Sequence, residues 1–476
     1  MDVDTDVDGG SGVPLHLAGN NRPVGEEVTA APTRVVGEVP AELRGRFLRN
    51  GPNPRTGWSA HLFDGDGMIH SVALGLEGGA AGGYRNRYVR TPLYEHPGRS
   101  RFELAYDPGT GRIDHRVTTA NTHVVAHAGR LLALEEGGLP YEITPDLDTV
   151  GPYDFGGALA TPMTAHPKTC PTTGELLFFG YQLRRPYLTY HRASPAGELQ
   201  ASTPLTLPAA TMLHDFAVTA TRAVFMDSPI VFAPGAAAAG GSPWRWDDDH
   251  PARLGVLPRA GGGDADLRWF AIEPCHLSHA VNAYDEGHGG AGHGGDRVVV
   301  TGTRLPREVR GGAPGGGLPT LHRWTLDLAS GRVSETALDD TPSEYPRVAD
   351  DRIGRPHRFA YTTSFVLAAE PERSEIYKYD LATPAAGGGT TRTTHVLPAG
   401  HTCGEPVFVG RSPGAAAGSK AAEDDGFLLT FVHDRAEGTS YLVVLDATDV
   451  AAPPLAEVHL PVRVPAGFHG TWLPVG

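Results

Sequence analysis

An all-β chain folded as a propeller is the architecture the sequence predicts, on three observations. Glycine (62) and proline (41) make up about a fifth of the 476 residues, against roughly 12% in average usage, while 40% of the chain stays hydrophobic. That combination specifies many turns between apolar segments, not disorder. Short runs rich in Val, Leu, Phe and Tyr recur between Gly, Pro, Asp and Asn, whereas most windows of helical length are broken by Pro or paired Gly. No linker-like break follows residue 24, and of the sandwich, the barrel and the propeller only the last readily absorbs so long a chain.

Taken in order, residues 1–24 open on the acidic MDVDTDVDGGSG and read as a flexible N-terminal arm, with 25–476 as a single domain. RVVGEVP, LLALEEGG, ELLFFGYQL, AVFMDSPIVF, RVVVTGTRL and SYLVVLDAT then follow as strands, short and rich in β-branched and aromatic residues. Gly235–Gly241, Gly287–Gly295, Gly311–Gly317 and Ala385–Gly389 read as surface loop tips, and none ends in the Lys-Ser/Thr of a phosphate loop. In FDGDGMIH, Asp64 and Asp66 are spaced like the start of a calcium loop but lack its later Gly and Glu, so turn chemistry explains them better. Ser228–Trp246, with Trp244 and Trp246 beside arginine, fits a buried strand and loop or an interfacial patch equally well, which leaves peripheral membrane contact open. No crisp repeat is present, so periodicity gives no blade count.

Composition narrows the function. With 40 Lys and Arg against 55 Asp and Glu the formal charge is −15, the wrong sign for nucleic-acid binding. Cys170, Cys275 and Cys403 are odd in number and lack a CxxC spacing, which suits a reducing compartment. Neither a basic, apolar leader nor a run of about 18 apolar residues is present, and the expectation is a soluble, cytoplasmic protein.

Among 22 histidines, four stand in segments of small, apolar or strand-forming residues: His166 (MTAHPKT), His214 (TMLHDFAVT), His279 (HLSHAVNAYDE) and His469 (VPAGFHGTW). The strands of a propeller that face its axis can bring distant residues together. A four-imidazole metal site is therefore geometrically natural, although four unrelated buried histidines explain the spacing at least as well. His288 and His293 lie in a glycine-rich tract instead.

The segments FLRNGPNP (Phe47–Pro54), HLFDGDGMIHSV (His61–Val72), TAHPKT, MLHDFAVT, HAVNAYDE, EYPRV (Glu344–Val348), GEPVFV (Gly404–Val409) and VPAGFHGTW resemble, in order, the blocks of the carotenoid cleavage oxygenase family. The resemblance runs from near residue 40 to the C-terminal segment. It implies a seven-bladed β-propeller, its loops capping an axial nonheme iron held by His166, His214, His279 and His469 at roughly 2 Å, the imidazole distance at zinc. It also places Glu136, Glu344 and Glu405 as the carboxylates that take the second ring N–H of the ligand imidazoles. His276, three residues before His279, ranks behind it because His-x-x-Asn-Ala fits His279.

The reaction that the resemblance implies is cleavage of one conjugated C=C bond by O2 to two carbonyl products, with Fe(II) as cofactor and an apolar polyene as substrate. Imidazole ligation itself suits zinc, copper and nickel as well. Phe63, Tyr181, Phe216, Tyr284 and Phe365 are aromatic candidates for the substrate tunnel, each also explicable as core. Family members that cleave hydroxylated stilbenes place a lysine where Glu135 stands, so a carotenoid or apocarotenoid is the expected substrate, with a stilbene as the alternative. Tyr84 and Tyr88 keep some phenol binding open. A catalytically silent, metal-binding propeller is the reading from another class, and a zinc hydrolase is disfavoured by four protein ligands.

Overall fold

The computed structural model describes residues 13–76, 81–235, 243–287, 295–307, 317–368, 370–384, 390–411 and 422–475. Most of Gly235–Gly241 and Gly311–Gly317, and all of Ala385–Gly389, His288 and His293, lie outside the described residues. The architecture is a seven-bladed β-propeller.

Each blade is an antiparallel sheet in which hydrogen bonds join consecutive strands of the orders below. Blade I runs Thr29–Ala30, Ala81–Tyr88, Gly67–Leu74, Gly45–Pro52, Gly470–Pro474; blade II runs Thr149–Pro152, Tyr141–Ile143, Arg130–Leu134, His123–His127. Blade III runs Lys168–Thr169, Leu176–Tyr181, Leu188–Ala193, Leu199–Leu205, and blade IV runs Phe216–Val218, Arg222–Asp227, Arg253–Pro258, Arg268–Ala271. In blade V the order is His276–Glu286, Arg297–Leu305, Thr320–Asp327, Val333–Ala337, and in blade VI it is Ser343–Arg347, Phe359–Ser364, Glu375–Pro384, Thr390–Val396. Blade VII runs Arg34–Gly37, Ala456–His459, Thr439–Asp446, Gly426–Asp434, His401–Cys403, with Val407–Gly410 also on Gly426–Asp434. Blades I and VII thus both pair strands that lie some 400 residues apart in the sequence.

The chain divides into two compact units, Thr164–Ala360 with Tyr379–Arg392 and, among the described residues, 13–163 with 361–378 and 393–475. In the first, Leu177, Phe179, Tyr190, Phe216, Phe225 and Leu257 form an apolar core between blades III and IV. Val224, Met226, Leu254, Leu277, Val298 and Trp324 form another between IV and V. In the second, Phe47, Val72, Tyr84, Phe427, Leu429, Leu442 and Val458 pack blade I on blade VII. Burial of such side chains is worth about 1.5–3 kcal/mol each, which is why the apolar strand runs predict the blades.

One expectation needs correction. Residues 13–24, read as part of a flexible arm, are docked: His16 and Leu17 are buried, His16 Nε2 lies 3.0 Å from the Ser59 carbonyl, and Arg463 Nη1 donates to the Asn20 carbonyl at 3.0 Å. In the Ser228–Trp246 segment the strands Ile230–Phe232 and Trp244–Trp246 pair antiparallel, Ile230 and Val231 are buried, and Trp244 packs on Phe232 and Tyr181. No helix among the described residues is long and apolar enough to cross a membrane.

Candidate metal centre

Blades III, IV and V each open with a site histidine. His166 and His214 come two residues before the strands Lys168–Thr169 and Phe216–Val218, and His279 lies inside His276–Glu286. The last strand carries two register shifts, between Leu277 and His279 and between Ala280 and Asn282. Paired bulges of this kind bend a strand and re-aim its side chains. The neighbouring strand must come close for this: a Cβ on Gly302 would stand 2.8 Å from the His279 carbonyl oxygen and 2.3 Å from the Leu277 side chain.

The three rings converge. Nε2 of His214 lies 3.1 Å from Nε2 of His166 and 3.2 Å from Nε2 of His279, with ring centroids 4.6 to 5.1 Å apart and planes steeply inclined. His279 Nδ1 is 2.7 Å from Glu344 Oε2. With Nδ1–H donated to the carboxylate, Nε2 of His279 carries its lone pair toward the other rings. With His166 and His214 in the same tautomer the three lone pairs would repel one another and a cation among them would remove the conflict, so the donor set fits a metal. Glu344 is itself fixed by Thr303 Oγ1, at 3.3 Å from both carboxylate oxygens, and by the Tyr345 N–H at 3.0 Å. Burial alone would raise its carboxyl, but the adjacent His279 imidazole and its hydrogen bonds hold it below the ordinary value. Sequence reading missed Thr303, which also accepts the His279 N–H at 3.0 Å, because a threonine in RVVVTGTRL looks like any strand residue.

In the second unit His469, 5% exposed, directly precedes the strand Gly470–Pro474. Its Nδ1 is 3.0 Å from Glu405 Oε1, and Glu405 Oε2 accepts the Gly470 N–H at 2.7 Å. Glu405 thus stands to His469 as Glu344 stands to His279. His123 packs beside His469, ring centroids 5.4 Å apart. Glu136 follows the strand Arg130–Leu134 and is half-buried. His276 is buried with Nδ1 2.9 Å from Ser228 Oγ, and burial pushes its imidazole down to about 3, as befits a structural histidine.

Glu135 is not an uncompensated carboxylate. Arg101 holds it through two N–H groups at 2.8 and 3.2 Å, Thr118 Oγ1 donates at 2.8 Å and the Gly137 N–H at 2.9 Å. Burial would raise its carboxyl, yet Arg101 and these donors keep it below the usual range. The position therefore presents an ion pair whose guanidinium is 38% exposed.

The aromatic candidates separate. Phe63, 42% exposed, packs on Phe468, the neighbour of His469, with centroids 5.5 Å apart. Phe365 is half-buried next to the exposed Val366 and Leu367. Phe216 is a core residue, fully buried and stacked on Phe225 at 5.7 Å with Phe179 edge-on at 5.2 Å, so no ring face is left for a substrate. Tyr181 packs on Phe179 and Trp244. Tyr284, five strand residues beyond His279 and so roughly 16 Å from it at the usual strand rise, faces His357. Phe216, Tyr181 and Tyr284 are accordingly explained as packing.

Residues 21–474 match the model of the retinal pigment epithelial membrane protein family. The chain is 38% identical to the carotenoid cleavage oxygenase of Mycobacterium tuberculosis over 96% of this chain and 97% of the relative. It is 35% identical to the carotenoid 9,10(9',10')-cleavage dioxygenase 1 of Pisum sativum, over 96% and 90%. Among solved structures, it is similar to Pseudomonas brassicacearum lignostilbene dioxygenase (TM-score 0.82, 30% identity, 97% of this chain and 98% of that one). Cobalt-substituted Synechocystis apocarotenoid oxygenase is also similar (TM-score 0.79, 26% identity, 95% and 97%).

Proposed function

The chain belongs to the carotenoid cleavage oxygenase family, and on that premise we propose that it is a nonheme iron(II) dioxygenase. Its reaction is cleavage of one conjugated C=C bond of a carotenoid or apocarotenoid, each product aldehyde or ketone taking one oxygen of O2. The observation that carries this reading is the end-to-end likeness to the mycobacterial carotenoid cleavage oxygenase.

His166, His214, His279 and His469 are the proposed ligands. Glu344 and Glu405 take the Nδ1–H of His279 and His469 and leave each Nε2 as the donor atom. Glu136 is proposed for the same duty, and together the three carboxylates offset the charge that neutral imidazoles leave on a divalent ion. When bound, iron supplies the activation of dioxygen. The protein's share is to hold the polyene in place and exclude water, and Phe63 and Phe365 are the aromatic residues proposed to contact it.

A stilbene-cleaving reading has its own support in the likeness to the lignostilbene dioxygenase and in the Arg101 cation beside Glu135. Incubation of iron-loaded protein with a panel of carotenoids, apocarotenoids and 4-hydroxystilbenes, with carbonyl products identified by mass, separates the two. Faster turnover of an apocarotenoid or carotenoid is expected. Faster turnover of a hydroxystilbene would install the second reading, and no oxygen consumption with any of them would point to a silent metal-binding propeller.

A further inference from the structure

Three strands deliver three imidazoles to one point, and the carboxylate that joins those strands is none of the three glutamates. Asp215 follows His214 directly, and its side chain is 2% exposed. Oδ1 accepts Lys168 Nζ at 2.8 Å and the Phe216 N–H at 2.7 Å, while Oδ2 accepts the Ala280 N–H at 2.8 Å. Lys168 lies two residues past His166, and Ala280 directly follows His279. The Ala280 amide sits between the two bulges of its strand, where the ladder is disrupted and a backbone donor needs another acceptor. One buried carboxylate therefore ties blades III, IV and V within two residues of each histidine.

We propose that Asp215, charge-matched by Lys168, is a positioning residue that sets the separation of His166, His214 and His279 and thereby the affinity and geometry of the metal centre. The proposal rests on the reading of these histidines as metal ligands. Three donors converge on two oxygens, and an asparagine offers only one acceptor oxygen while turning an N–H2 group toward a donor. A buried donor left without an acceptor is relieved by movement of the strands that carry it.

Asp285 supplies the control. It also ties blade IV to blade V, accepting Thr221 Oγ1 at 3.0 Å and the Thr221 N–H at 3.2 Å and pairing with Arg222, but it stands six residues beyond His279 on the same strand. The test is cobalt(II) binding to the purified full chain, followed by visible absorption, beside thermal unfolding of the metal-free protein. We expect Asp215→Asn to weaken cobalt binding about 10- to 100-fold, the scale for outer partners of ligands, and to alter the d–d bands. Asp285→Asn is expected to lower the unfolding temperature comparably with affinity and spectrum unchanged. Wild-type affinity and bands in Asp215→Asn, or an equal loss in Asp285→Asn, would overturn the proposal. If Asp215→Asn does not fold, Lys168→Met decides in its place, with at least a threefold loss expected and wild-type binding the overturning result. Absence of cobalt binding by the wild-type chain would instead remove the metal-centre reading on which the proposal stands.

Discussion

At the residue scale, a ligand imidazole is only as well placed as the group on its far nitrogen. Glu405 uses one oxygen for His469 and the other for the Gly470 N–H. Glu405→Gln would put an amide N–H2 against one of those donors, and about 10- to 100-fold weaker metal retention is expected by equilibrium dialysis. Glu344→Gln should weaken retention less, because Oε2 of Glu344 alone serves His279 and the Tyr345 N–H, so that one amide oxygen can keep both donors and only the charge is lost. Unchanged affinity in both variants would strip the carboxylates of this role. The four histidines and the three glutamates were singled out by the resemblance of the blocks that hold them to those of the family, since spacing alone fitted unrelated histidines as well. Arg101 was not, since its partner Glu135 is 34 residues away and only the folded chain shows the pair. Reading Glu135 alone missed the guanidinium that neutralises it.

At the element scale, blade III illustrates what a strand can hide. His191 lies in Leu188–Ala193, 1% exposed, stacked on Phe178 at 4.9 Å and bonded through Nδ1 to Ser202 Oγ at 2.9 Å. Burial pushes its imidazole down to about 4. An unfolded imidazole takes a proton near pH 6.5 and the folded one resists until about 4, so its contribution is complete above pH 6.5 and is lost as the pH falls through that window. The loss is on the order of 3 kcal/mol. His191→Gln should flatten the fall of urea-unfolding free energy between pH 6.5 and 4, and an unaltered slope would refute the assignment. The strands themselves were readable from Val, Leu, Phe and Tyr runs. The paired bulges at His279 were not, because HLSHAVNAYDE carries no glycine to mark them, and the acceptors that need them come from other strands.

At the scale of the whole molecule, sequence alone supports an all-β propeller, while the blade count came from the resemblance and is matched by the seven sheets of four or more strands among the described residues. What the sequence concealed is the closure. Gly470–Pro474 pairs with Gly45–Pro52, and Arg34–Gly37 pairs with Ala456–His459. Neither pairing has a local signal, since hydrogen bonds between segments so far apart leave no periodicity. Close approach is built in at Gly45, where a Cβ would meet the Leu473 carbonyl oxygen at 2.3 Å and the Trp472 ring at 2.7 Å. Gly45→Val should force the closing strand away and cost about 1–3 kcal/mol. Faster hydrogen exchange confined to Gly45–Pro52 and Gly470–Pro474 is the expected readout, and wild-type protection there would argue against the strand's part in closure.

That same pairing has a consequence for biosynthesis. Gly45–Pro52 is nearly all buried in the folded protein, yet it leaves the ribosome roughly 400 residues ahead of its partner strand. At about 5–20 residues per second, the wait lasts on the order of 20 to 80 s. Throughout it, a strand carrying Phe47 and Leu48 offers an unpaired backbone edge to any neighbouring chain. Nascent protein should therefore depend on chaperone cover and on slow, cool expression for its yield, while the finished protein, its edge sealed, should not.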